Sequence, residues 1–419
     1  MSYQPPEPIL VVGVPQVTYL ELARFLPAGS VIFVEEPDVV RNCGFDTAYA
    51  SDPCVREVLP WEYQTEGAAD TFFARHRSLR VAAVLPGVEY AVPFAARLAE
   101  RYGLPGGGFG AAQVLRNKRL LRKVTSAAGV PNPASAVVAN PAQVRDFLAR
   151  HPGKAVLKPA NRQGSVGTMV VTDPSEVDAA WADCLDQDEG PMVPGRGLPL
   201  EMLVEQFVEG PEYSVEMLVK DGSPILANVT RKTLFPGPYP LSRGHAVPSG
   251  AAPGLHDSLV ASTRAVLDAT GFGTGIVHCE WIAAEVPYLV ECAGRWPGSA
   301  IGKLIGVAWD IDLYRSYVEL MCGGEPVLPA EPRRAAAVRY LHAEPGEVVE
   351  VTGLDQALAH PAVLQAEVSV VPGDRVPAMR NLWHRVGFVT GVARDHAKAV
   401  RAVEELAATV TITTRAALR

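Results

Sequence analysis

The stretch from His278 to Gly302, HCEWIAAEVPYLVECAGRWPGSAIG, constrains the fold more than any other part of the chain. It reads as a β-hairpin, because two apolar runs flank the turn residues AEVP, and counting back from the turn brings Glu280 and Glu291 opposite one another. On neighbouring antiparallel strands their Cβ atoms are about 5 Å apart. Two carboxylates at that distance repel, so a folded chain places a proton or a cation between them. Hard oxygen ligands beside a phosphate-sized cleft suit Mg²⁺ best. The alternative is two solvent-facing glutamates on an edge hairpin. A metal–nucleotide site is thus the suspicion that the remainder of the chain must decide.

Size and charge narrow the choice. A chain of 419 residues is long enough for two or three domains, and 48% hydrophobic with 20% charged residues is ordinary for a globular enzyme. A net charge of -8 argues against nucleic acid or an anionic membrane as the main partner, since both are held by clustered Lys and Arg. Small-molecule chemistry is favoured. The opening MSYQPPEPILVVGVP has neither a charged leader with a long apolar core nor a membrane span, so a cytoplasmic protein is expected. The six cysteines are scattered, with no CxxC and no zinc spacing.

Three blocks follow from the pattern of apolar runs. Residues 1–112 carry buried-strand runs (ILVVGV, VIFV, VAAVLP) alternating with helical spacing, which predicts a small α/β domain. The first strand is followed by GVPQVT rather than GxGxxG, and GxxxxGK[ST] occurs nowhere, so a dinucleotide site is disfavoured and a P-loop is excluded. Residues 113–330 open with a basic amphipathic helix, RNKRLLRKVTSAAG, and become strand-rich, with a lid lobe expected over about 128–205 and a catalytic lobe over about 206–330. Two Pro- and Gly-rich insertions, 186–199 and 233–254, read as lids, substrate loops or plain surface excursions. Residues 331–419 predict a small α+β cap.

The ordered set LPGVEYAVPFAARLAERYGLPG, NKRLLRKVTSAAGVPNP, VLKPANRQGSVGTMVV, VEQFVEGPEYSVE and the HxE/VExxxR hairpin resembles the ATP-grasp superfamily, and within it the carboxylate–amine ligases that include the L-amino acid (dipeptide) ligases. The resemblance covers essentially the whole chain. It implies an ATP-grasp fold, with a Rossmann-like α/β preamble, a two-lobed ATP-grasp domain and an α+β cap. It implies ATP and Mg²⁺ as cofactors, with Mn²⁺ as the alternative metal. It also implies small-molecule carboxylate and amine substrates, and a homodimer formed through the preamble.

By this resemblance Lys118 and Lys158 meet the ATP phosphates, and the loop Gln163, Gly164, Ser165, Val166 and Gly167 folds its backbone N–H groups over them. Glu205, Phe207 and Val208 form the hinge that reads adenine, Ile282 packs beneath the base, and Glu212 accepts the ribose hydroxyls. Glu280 and Glu291 are the Mg²⁺ ligands, and Arg295 grips the substrate carboxylate and the acyl phosphate. Alternation puts Glu216 on the same strand face as Glu212, and so towards the cleft. Trp296, Gly298 and Ser299 should border the acyl pocket. Arg231 is a candidate for a second carboxylate, together with Lys232, with a solvated pair as the alternative. For the base that deprotonates the amine, His245, His278 and Glu216 are the candidates.

One departure stands out. The family pattern after the second glutamate is ExNxR, and here it is Glu291-Cys292-Ala293-Gly294-Arg295, so Ala293 replaces a metal ligand and the number of metal ions is open. The expected activity is ADP-forming ligation of an acid to an amine through an acyl phosphate. The alternatives are an ATP-grasp carboxylase or formate-using purine enzyme, and a non-catalytic nucleotide-binding protein.

Overall fold

The computed structural model describes residues 3–13, 16–45, 52–186, 189–190, 193–195 and 199–416. Strands β1 (Ile9–Val12), β2 (Val31–Glu35), β3 (Val55–Pro60) and β4 (Ala83–Pro86) form a parallel sheet in the order β3-β2-β1-β4. β1 and β2 are buried throughout, as expected of parallel strands covered on both faces. Next come β5 (Ser135–Val138), β6 (Ala155–Pro159), β7 (Met169–Val171) and β8 (Met202–Gln206), an antiparallel sheet in the order β5-β8-β6-β7. Helices 141–150 and 177–185 cover this lid sheet, burying Phe147 and Val177 against Leu157 and Val204.

The remaining strands are β9 (Glu212–Lys220), β10 (Ser223–Leu234), β11 (Ser242–Val247), β12 (Gly275–Ala283), β13 (Pro287–Ala293), β14 (Ala335–Leu341), β15 (Gly346–Thr352), β16 (Val363–Val368), β17 (Arg375–Val376), β18 (Gly387–Ala393) and β19 (Thr411–Arg415). Eight of them make one sheet, β13-β12-β9-β10-β11-β14-β18-β16, and β17-β15-β19 make a small satellite sheet. The large sheet therefore runs from the catalytic lobe straight into the C-terminal block through the β11–β14 pairing, Gly244↔Arg339 to Val247↔Ala336.

Two elements differ from the expectation. The basic helix is not continuous from Arg116, because the Asn117 side chain accepts from the Arg119 and Leu120 N–H groups and so starts a separate helix at Lys118. The insertion 233–254 is not a loop throughout, since Ser242–Val247 is the strand β11, inserted between β10 and β14. Of the other insertion, residues 187–188, 191–192 and 196–198 lie outside the described residues. The main core joins preamble to catalytic lobe: Val11 and Phe33 share one apolar cluster with Leu304 and Tyr317 of the helices 301–309 and 313–321, and with Leu218 and Ile276 of the large sheet. A second cluster, on the side of helix 253–270, is centred on the fully buried Trp281.

Candidate functional site

A cavity of about 500 Å³ lies where the lid sheet, the large sheet, the end of the preamble and the C-terminal block meet. Its floor is the hairpin β12–β13. The register is Glu280↔Glu291, with a bulge after Glu280, so the two carboxylates stand opposite each other on the cavity wall. The repulsion between them is answered by cations. The Lys118 ammonium is 3.0 Å from Glu291, and the Lys232 ammonium is 2.9 Å from both Glu280 and Glu212. Burial opposes ionisation of Glu280, but Lys232 and His278 outweigh it and hold its pKa well below the usual carboxylate range. Burial likewise opposes ionisation of Glu291, and Lys118 outweighs it. The same accounting applies to Lys232: desolvation is overcome by Glu212 and Glu280, and its pKa is raised.

Beneath this layer, Glu216 is buried and fully engaged. Its oxygens accept from Ser214 at 2.6 Å, Thr230 at 2.7 Å and Asn228 at 2.9 Å, and one lies 2.9 Å from His278 Nδ1. His278 Nε2 is 3.2 Å from Glu280, so the imidazole bridges two carboxylates. Burial works against its charge, yet Glu216 and Glu280 raise its pKa to about 10. Glu216 is accordingly not on the cavity wall, and His278 is a cationic brace for Glu280 rather than a free base.

At the hinge, Glu205 is clamped between Lys158 at 2.6 Å and a bidentate Arg122 at 3.0 and 3.1 Å. Arg122 also donates to the Val290 carbonyl at 2.7 Å, tying the lid strand β8 to the hairpin. Burial raises the Glu205 pKa, and the two cations more than offset it. Burial lowers that of Lys158 against the pull of Glu205. Phe207, Val208, Ile282 and Tyr288 give the cavity an apolar lining, and Glu212 adds a carboxylate to it. Gln163, Gly164 and Ser165 line it from the lid. Val166 and Gly167 do not. Val166 is buried, and Gly167 turns with φ +71 where a Cβ would lie 2.7 Å from the Cys184 carbonyl.

On the preamble side, Arg295 lines the cavity, but its Nε donates to Glu89 at 2.6 Å and its Nη1 to the Trp296 carbonyl at 2.8 Å. Trp296, Gly298 and Ser299 border the cavity next to it. Trp296 stacks on Tyr314 at 3.5 Å and packs against Gly302, where a Cβ would approach the indole to 2.2 Å. His245, carried by β11, is buried with neither ring nitrogen hydrogen-bonded. Burial first, then Lys232 and Arg385, push its pKa well below the ordinary histidine value. Arg231 is not in the cavity. It lies over the Tyr213 ring at 4.7 Å, on the other face of β10 from Lys232, because neighbours in a strand point opposite ways.

The structure brings in residues that sequence reasoning missed: Arg122, Arg162, Glu89, Trp383 and Arg385, with Lys232 promoted over Arg231. Nothing local marked Trp383 or Arg385.

The donor set suits one magnesium ion. Two ionised carboxylates on one wall, with phosphate oxygens and water completing the shell, is how Mg²⁺ is usually held beside a nucleotide. Ala293 is buried and offers no ligand, and among the described residues no group of three or more His, Cys, Asp or Glu gathers around a metal position.

Comparison with known proteins agrees with this geometry. A family model described as an ATP-grasp domain matches residues 152–301, and one described as L-amino acid ligase C-terminal domain 2 matches residues 339–415. An uncharacterized protein of Sinorhizobium fredii is 29% identical over 398 residues, covering 93% of this chain and 79% of that protein. Carnosine synthase 1 of Mus musculus is 27% identical over 198 residues, 46% of this chain but only 24% of the mouse protein. Among solved structures, an L-amino acid ligase from Bacillus licheniformis superposes with a TM-score of 0.76 at 18% identity, over 99% of this chain and 100% of that one. At such identity the likeness speaks for the fold.

Proposed function

The chain belongs to the ATP-grasp superfamily, in its L-amino acid ligase family of ATP-dependent carboxylate–amine ligases, and from that premise we propose that it joins a carboxylic acid, itself an amino acid or related acid, to the amine of an amino acid, forming ADP and phosphate. The observation that carries the reading is the opposed pair Glu280 and Glu291 on one wall of a cavity that also holds Lys118, Lys158 and Arg295.

The residues divide the work. Phe207, Val208, Ile282 and Tyr288 receive adenine, and Glu212 receives the ribose hydroxyls. Lys118, Lys158 and the 163–165 loop bind the phosphates, where fixed positive charge favours transfer of the γ-phosphoryl group to the substrate carboxylate. Glu280 and Glu291 would hold Mg²⁺, which when bound would supply charge neutralisation at the phosphates. Arg295, steadied by Glu89, holds the carboxylate and then the acyl phosphate. The amine attacks the acyl carbon, the C–O bond to phosphate breaks, and the amine proton passes to a base. With His278 and Glu216 engaged by each other, His245 is the candidate: burial keeps its imidazole neutral, leaving one ring nitrogen free to accept a proton, and neither nitrogen is hydrogen-bonded.

Incubation of the protein with ATP, Mg²⁺ and an amino-acid panel tests the reading. The expected outcome is phosphate release that requires an amino acid, together with a dipeptide mass. ATP binding without substrate-dependent phosphate release would sink it, and a bicarbonate requirement would point to a carboxylase.

A further inference from the structure

Among the described residues six Lys and Arg side chains line the cavity, and their partners differ in kind. Lys118 pairs with Glu291, Lys158 with Glu205, Lys232 with Glu212 and Glu280, Arg162 with Glu189 at 3.6 Å, and Arg295 with Glu89. Arg385 has no carboxylate partner among the described residues. It is held by neutral groups alone: Nε donates to the Leu382 carbonyl at 3.1 Å, Nη1 to Ser242 Oγ at 3.3 Å and Nη2 to Ser299 Oγ at 3.4 Å. Its guanidinium carbon lies 3.6 Å from the centre of the Tyr340 ring, which fixes the plane of the fork. Arg385 is partly withdrawn from water without an anion, which carries a cost that a ligand anion offsets. His245, only 5% exposed, lines the same end of the cavity with neither ring nitrogen hydrogen-bonded, its ring 6.0 Å from that of Tyr340 and nearly perpendicular to it.

On the ligase reading above, we propose that Arg385 binds the free carboxylate of the amine substrate, so that the acceptor is selected as an amino acid and not as a simple amine. The acyl donor loses its carboxylate charge on activation, whereas an acceptor amino acid keeps one through the whole reaction. It therefore needs a permanent cation that the phosphates do not claim. Arg385 meets that need. Its anchors Ser299 and Ser242 belong to the segment after Arg295 and to β11 beside His245, which is the substrate end of the cavity. A planar fork also matches a carboxylate in two parallel hydrogen bonds.

The test uses the full-length protein with ATP, Mg²⁺ and unlabelled amino acids as donors, and compares isotope-labelled amino acids with the corresponding labelled amino-acid amides as acceptors. The parental protein is expected to prefer the acids. In Arg385→Met the KM for acid acceptors should rise about 30- to 100-fold, the size of a lost charge-assisted pair, with the KM for ATP and the rate with amide acceptors little changed. Arg385→Lys should recover part of the preference, and its melting curve separates recognition from folding. An unchanged acid-over-amide preference in Arg385→Met, or a rise confined to the KM for ATP, overturns the assignment while leaving the ligase reading standing. Absence of any amide product from the parental protein would instead overturn the ligase reading and this assignment with it.

Discussion

At the scale of single residues, the site is a ledger of paired charges, and His278 is its most informative member. Its folded pKa of about 10 lies above the ordinary histidine value because Glu216 and Glu280 flank it. The stability it contributes is therefore full below pH ~6.5 and lost as the pH rises through about 10. Replacing it by glutamine should destabilise the protein by about 3 kcal/mol near pH 6, since the buried Glu216 and the partly buried Glu280 lose their shared cation. Thermal melts of both proteins should show that gap narrowing at pH ~10.5; an equal gap at both pH values would contradict the assignment. The sequence made Glu280, Glu291 and His278 legible, because strand alternation and the turn fix which side chains face together. It gave no means of choosing between Arg231 and Lys232, since neighbouring strand residues differ only in which face is buried, and the partner strands decide that.

At the scale of elements, the segment 380–385 acts as a clasp between the C-terminal block and the lid. Leu382 N–H donates to the Gly164 carbonyl at 3.5 Å, the Trp383 indole lies 3.5 Å from where a Gly164 Cβ would stand, and Arg380 pairs with Asp183 of the lid helix 177–185. The 163–165 loop is thereby held against the cavity that Arg385 lines. Trp383→Ala should leave the fold intact but loosen this loop, raising the KM for ATP several-fold and increasing amine-independent ATP hydrolysis as water reaches the acyl phosphate. Steady-state phosphate release with and without an acceptor measures both effects, and an unaltered ratio would show that the contact is incidental. The hairpin and the lid strands were readable because each is bounded by its own turn residues. The strand β11 was not: its Pro- and Gly-rich flanks suggest a loop, and its order comes from hydrogen bonds to β10 and to the sequence-distant β14, from Gly244↔Arg339 to Val247↔Ala336.

At the scale of the whole molecule, one sheet joins what the sequence divides. β14, β18 and β16 extend the catalytic sheet, so the C-terminal block is hydrogen-bonded into the wall that carries His245. A chain ended at residue 330 would leave β11 as an open edge and uncover Ala246 and Val247, both buried in the intact protein. It is expected to be insoluble or to melt without cooperativity; a soluble fragment with a sharp melt would show that the catalytic lobe closes by itself.

The sequence alone determined most of the elements, because periodicity, caps and turns act over short stretches of chain, and its family resemblance singled out the residues proposed to meet the nucleotide. It also determined that two glutamates face each other on one hairpin. Tertiary structure alone decided which charges meet: Arg122 with Glu205, Lys118 with Glu291, Arg295 with Glu89, and Arg385 with no acid among the described residues. Those pairings join side chains from different sheets and helices, and Coulomb interaction depends on distance in space, which sequence separation does not encode.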